Sequence, residues 1–162
     1  MALDIDSVLI DRLFQPASDR MAAQTSCFGL ARLSLLGAVL LQFVVLANDL
    51  QADGDALRRL LAGGITILAL VGADRGRYVI ARAERQAQPG TMNIRRITMR
   101  WQRVAWLVIT VWAASVALGQ PNRANVAVCF ASMAWLSCIY FTSCSPSPPV
   151  LRRTSDTLVF AR

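Results

Sequence analysis

Four apolar runs alternate with polar segments along this chain, and its positive charges are shared unevenly among those segments. All 17 basic residues are Arg; there is no Lys and no His. Eight of them, Arg75, Arg77, Arg82, Arg85, Arg95, Arg96, Arg100 and Arg103, lie between the second and third runs. Arg-rich flanks of apolar helices resist translocation, so this segment is expected in the cytoplasm. With both termini inside as well, fourteen Arg are cytoplasmic and three, Arg58, Arg59 and Arg123, are external. That bias predicts an all-α membrane protein of four transmembrane helices, N-in and C-in.

Composition points the same way. Apolar residues make up 55% of the 162, and mean hydropathy is positive. A small water-soluble core could not bury that much apolar surface without leaving large sticky patches, so lipid is the expected solvent. The net charge of +7 is then topogenic charge rather than a nucleic-acid footprint. Arg without Lys, together with much Ala, fits a high-GC bacterial gene and hence the bacterial inner membrane. Residues 1–26 carry Asp4, Asp6, Asp11 and Asp19, the wrong sign for a signal peptide. The first apolar run is therefore expected to be an uncleaved anchor.

The expected organisation has three parts. Residues 1–26 form a cytoplasmic N-terminal segment. Residues 27–142 form the four-helix domain, with spans at about 27–47, 57–73, 104–119 and 124–141 and an Arg-rich cytoplasmic hairpin at 74–103. Residues 143–162 form a Pro- and Arg-containing tail. In the first segment, residues 4–14 are expected to form a short amphipathic helix. Asp4 or Asp6 caps it, Ile5, Leu9 and Leu13 lie on one face, and Pro16 stops it. It either lies at the membrane interface or packs on the protein.

The uninterrupted centre of the first span, Leu33–Ala47, covers only about 23 Å at ~1.5 Å per residue, short of a ~30 Å hydrocarbon core. Phe28–Arg32 repairs the length if Arg32 snorkels to the surface. Asn48-Asp49 then opens an acidic outer loop. The second span has a shorter clean centre, Leu60–Ala73, and its helix is expected to continue past Asp74 to about Gln88, before Pro89-Gly90. Thr91 or Asn93 starts the third helix. Ile94, Ile97 and Trp101 make an apolar stripe ringed by Arg95, Arg96, Arg100 and Arg103, which predicts a hairpin basic outside and apolar inside. Gln120-Pro121-Asn122 is an outer turn, with Asn122 as helix cap.

Little in this sequence carries chemistry. The four Cys have no CxxC spacing and no His partner, so no metal site is expected. There is no phosphate loop, HExxH or triad, and no base to activate Ser143, Cys144 or Ser145. Ionisable groups at bilayer depth, the mark of transporters and membrane enzymes, are missing from the spans. The chain is accordingly read as a non-enzyme without cofactors. Gln42, Gly63, Gly64, Trp112, Ala127, Ala131 and Ala134 are candidate helix-packing positions. The eight Arg of the hairpin are candidate contacts for anionic lipid or an acidic partner. A single ring in the stripe is a poor platform for stacking bases, which argues against nucleic acid. The leading expectation is an accessory, structural or assembly subunit of a larger membrane complex, joined to a membrane-protein partner or to copies of itself. Two alternatives are a holin-like pore-former and a regulator that binds anionic lipid or an acidic protein through the hairpin.

Overall fold

The computed structural model describes residues 5–22, 28–51, 56–85 and 97–144. Every regular element among them is helical. An N-terminal arm consists of α1 (Ile5–Leu9), a π-helical turn (Ile10–Phe14) and α2 (Gln15–Ala22). Four long helices follow: α3 (Gly29–Gln51), α4 (Ala56–Arg85), α5 (Arg100–Gly119) and α6 (Arg123–Ser143). Three of these, α3, α5 and α6, are long and apolar enough to cross a membrane. The fourth, α4, is not among them; its apolar centre is bounded by Arg58 and Arg59 on one side and Asp74 on the other.

The helices run alternately up and down. α3 and α4 are antiparallel, as shown by the pairing of Arg32 with Glu84 at one end and the approach of Gln42 to Thr66 further along. α6 packs on both α3 and α5, while α4 packs chiefly on α3, so the order across the bundle is α4, α3, α6, α5. The start of α3 and the end of α6 thus lie at one end, and the arm docks there.

Small residues at heptad-like spacing explain these contacts. The buried positions of α3 are Ala31, Leu35 and Ala38, preceded by Phe28 just ahead of the helix; those of α4 include Ala62, Thr66, Ala73, Ile80 and Ala83. Intervals of three and four keep each set on one seam, and Ala lets the backbones approach. Gly76 continues the α4 seam: a Cβ built there would meet Leu35 Cδ1 at 3.3 Å. α6 contributes Ala127, Ala131, Trp135 and Cys138, and α5 contributes Arg103, Thr110 and Ala113. Thr110 Oγ1 donates to Trp106 O at 2.7 Å within α5, and Ser132 O of α6 lies 3.3 Å away.

Several expectations need correction. Pro16 does not stop the arm. A proline lacks the N–H of a regular turn and its ring crowds the carbonyl four residues back. The wider turn over Ile10–Phe14, closed by Gln15 N–H donating to Ile10 O, precedes it and lets the helix run on to Ala22. Asn48-Asp49 is helical, since α3 reaches Gln51. At 23 residues, α3 is about 34 Å long and covers a ~30 Å core although its apolar centre alone does not. α4 runs unbroken past Asp74 to Arg85; Pro89-Gly90 and the expected start at Thr91 or Asn93 lie outside the described residues. The Gln120–Asn122 turn has the expected cap: Asn122 Oδ1 accepts from Asn125 N at 2.7 Å, and Asn125 Nδ2 donates to Gln120 O at 2.9 Å.

Candidate functional site

The most unusual environment in the protein is where the arm meets α5 and α6. Arg103 is 2% exposed, the largest fully buried side chain described. Its guanidinium forks onto one carboxylate, with Nε donating to Asp6 Oδ1 at 2.8 Å and Nη2 to Asp6 Oδ2 at 2.7 Å. Nη1 donates to Ser143 Oγ at 3.1 Å. Tyr140 Oη donates to Asp6 Oδ1 at 2.9 Å, and Ser143 Oγ donates in turn to Ile139 O at 2.8 Å. Parallel N–H···O bonds of this kind are the strongest pairing Arg makes with a carboxylate.

Burial alone would raise the carboxyl pKa of Asp6. Hydrogen bonds from Arg103 and Tyr140, with the charges of Arg103 and Arg100, outweigh that effect and hold it below the usual carboxylate value. Asp6 therefore stays ionised at neutral pH, and the pair is internally neutral. Its carboxylate is already engaged by three donors. Such a group clamps two chain segments together; it does not present a free base to a substrate.

Aromatic packing completes the clamp. Phe14 stacks on Tyr140 with ring centroids 4.6 Å apart and meets Phe141 edge-on at 5.0 Å. Ile10 is 3% exposed and Ser18 is also buried. In a straight α-helix, positions eight apart such as Asp6 and Phe14 would diverge by about 80°. The wider π turn takes up that lag, so Asp6, Ile10, Phe14 and Ser18 fall on one side. The inner face of the arm is therefore not the expected one. Ile5 and Leu13 are 61% and 59% exposed; the Arg103 pair fixes which face turns inward.

The Arg-rich segment is also arranged differently from the expected hairpin. Ile97 and Trp101 are 71% and 81% exposed, and Arg103 is inside, so the apolar-inside order is reversed at this point. The cause is phase. Arg103 shares the inner seam with Trp106, Thr110 and Ala113, whereas Trp101 lies off it, and Met99 (φ −89°, ψ 1°) interrupts the helix just before. Arg77 pairs with Asp74 at 3.0 Å on the surface. Arg75, Arg82 and Arg100 are exposed. Arg95 and Arg96 lie outside the described residues, as does the side chain of Arg85.

The packing candidates divide as well. Ala127 and Ala131 are buried on α6, and Ala134 is partly buried beside the core. Gln42 Nε2 stands 3.5 Å from Thr66 Oγ1. Trp112, expected to pack on protein, is 63% exposed among the described residues. Nothing lies within 4 Å of a Cβ built at Gly63 or Gly64, so that notch faces away from the other helices.

Between α4 and α5 runs a cleft of about 600 Å³, with Trp135, Cys138 and Ile139 of α6 contributing to its lining. Trp106 and Trp135 stack in it with centroids 5.8 Å apart. Ile65, Leu68, Gly72, Arg75 and Val79 of α4 line one wall. A second hollow of about 580 Å³ beside α3 and α4 includes Arg32 and Arg77, both paired with carboxylates.

Two further residues complete the cluster: Tyr140, three residues before the expected tail and not singled out by the sequence, and Ser143, the first residue of that tail, considered there only as a nucleophile. Asp6, expected as a helix cap, is instead the carboxylate of the clamp. One signal was available: Arg103 falls in register with the apolar seam of α5 (Trp106, Thr110, Ala113), and an arginine in such a register calls for a carboxylate. No protein-family model, curated protein or solved structure matches this chain.

Proposed function

We propose that this is a non-catalytic subunit of a larger membrane assembly, sited in the bacterial inner membrane with four crossings and both termini in the cytoplasm. The observation that carries the reading is the outer side of α4. This helix sits at the edge of the bundle, its Gly63-Gly64 notch has no neighbour among the described residues, and its apolar centre is short. A partner helix seated in the notch would gain the close backbone contact that small residues permit. It would also shield a span poorly matched to the bilayer thickness. The apolar stretches of α3, α5 and α6 point the same way, being only 22%, 17% and 44% buried within the chain. The buried ion pair of Arg103 and Asp6 is occupied in holding the arm, which supports a structural role.

The test is gentle extraction of the tagged chain, followed by sizing and mass spectrometry of stoichiometric companions. A defined complex that is lost in Gly64→Leu, with the chain itself still inserted and folded, is the expected result. A chain that extracts alone and monomeric overturns the proposal. A homo-oligomer lost in the same variant would make the partner a second copy.

A further inference from the structure

We propose that the cleft between α4 and α5 holds one anionic phospholipid, drawn from the leaflet on the arm side of the bundle. The argument rests on the arrangement of polarity along the cleft. On α4, Ile65, Leu68 and Gly72 give an apolar wall up to Arg75, with Gly76 and Val79 one turn beyond it and Gln42 of α3 at the far end beside Thr66. The wall faces the stacked rings of Trp106 and Trp135, and Gln102 lies at the same end as Arg75. Ten residues separate Ile65 from Arg75, about 15 Å of helix. That is half of a ~30 Å hydrocarbon core, the depth of one leaflet. An acyl chain reaching from Ile65 would thus bring its headgroup to the level of Arg75.

Charge decides the headgroup. Arg75 has no carboxylate partner among the described residues. Arg32 and Arg77, in the hollow beside α3 and α4, are neutralised by Glu84 and Asp74. Of the two depressions, only the α4–α5 cleft thus offers an unneutralised cation above an apolar trough. Its volume of about 600 Å³ falls within the ~300–1,000 Å³ usual for small-molecule sites. Gly72 sets its width: a Cβ there would stand 3.8 Å from Trp135 Cη2, so any longer side chain projects into the trough.

Quenching of tryptophan by brominated lipid tests this directly. The full chain carrying Trp101→Phe and Trp112→Phe keeps Trp106 and Trp135 as reporters in the cleft. It is reconstituted in zwitterionic vesicles containing a minor fraction of brominated phosphatidylglycerol or brominated phosphatidylcholine. The expected result is about fivefold stronger apparent association of the anionic lipid, the effect of one interfacial Arg. Arg75→Gln should bring the two lipids to parity, and Gly72→Leu should remove quenching by both. Equal quenching by both lipids in the Arg75 protein overturns the proposal, as does a preference that survives Arg75→Gln. Reporters shielded from both lipids also overturn it and mean that protein, such as residues 145–162, covers the cleft. The proposal requires insertion in a bilayer but no partner subunit. Quenching of exposed Trp112 in a chain carrying Trp101→Phe, Trp106→Phe and Trp135→Phe reports insertion separately.

Discussion

Replacing Asp6 with Asn tests whether one buried ion pair holds the N-terminal arm. The side chains of Arg103 and Asp6 are 2% and 9% exposed, so the discount that solvent screening imposes on surface pairs does not apply. Asn keeps an oxygen for Arg103 Nε and Tyr140 Oη, which meet Asp6 Oδ1 at 2.8 and 2.9 Å. In the other position its NH2 would face Arg103 Nη2, 2.7 Å from Oδ2 in the native pair, donor against donor. The negative charge is lost as well. Removing one member of a buried pair costs about 3–5 kcal/mol, because the remaining charge stays desolvated. The arm need not keep that arrangement, since it can detach and let water reach Arg103. The loss therefore appears as local undocking, not as unfolding of the bundle.

Amide hydrogen exchange over residues 5–22 in a bilayer mimetic measures this opening. A cost of 3–5 kcal/mol corresponds to a fall in protection of roughly two to three and a half decades, limited by the stability of the docked arm itself. Exchange in α3 and α6 should change far less. The double variant Asp6→Leu, Arg103→Met should regain much of the loss, because an apolar pair of similar volume needs no counter-charge. Unchanged arm protection in Asp6→Asn would refute the reasoning. So would a double variant whose cost equals the sum of the two single losses, since that would mean the groups do not interact.

Other outcomes follow from the same geometry. Because the pKa of Asp6 is lowered in the folded state, its contribution is complete above the unfolded value of about 3.9 and is lost as pH falls through the folded one. Arm protection should therefore be flat between about pH 5 and 8 and drop only in stronger acid; a transition near pH 6 would contradict the assignment. Phe14→Ala removes the ring stacked on Tyr140 and should weaken arm docking by about 2–4 kcal/mol, read by the same exchange measurement. Gly76→Val should destabilise the α3–α4 contact by about 1–3 kcal/mol through Leu35. Gly63→Ala in the isolated chain should be neutral or stabilise α4 by up to ~1 kcal/mol, both measured by unfolding in mild detergent.

The helices and the outer turn were legible because each is encoded locally. Asn122 caps a helix from three residues away, and the apolar runs that mark α3, α5 and α6 are continuous in sequence. The clamp was not legible, because Asp6 and Arg103 are separated by most of the chain and each has an ordinary local explanation. Asp6 suits a helix cap, and Arg103 suits a topogenic flank. The arm misled for a related reason. Apolar periodicity puts Ile5, Leu9 and Leu13 together, but Asp6, Ile10 and Phe14 share the same spacing one position on, and the pairing of Asp6 with Arg103 turns that set inward. The stripe of Ile97 and Trp101 failed likewise, because the break at Met99 removes the assumption of a single straight helix.

These arginines do not form one class, although insertion treats them alike. Arg103 is buried and forked onto Asp6, so its loss leaves an uncompensated carboxylate and detaches a whole segment. Arg32 bridges α3 to Glu84 of α4, but at 57% side-chain exposure it contributes no more than about 1 kcal/mol. Arg77 is more exposed still and pairs within its own helix. Arg75 and Arg82 are exposed and have no carboxylate partner among the described residues. The arginines thus separate by burial and pairing. The most buried one fastens the arm, Arg32 and Arg77 are locally neutralised at the surface, and Arg75 and Arg82 stay unpaired among the described residues. Counting Arg in sequence detects the sum of these effects. Only the register of each Arg against its helix seam tells which of them a substitution would remove.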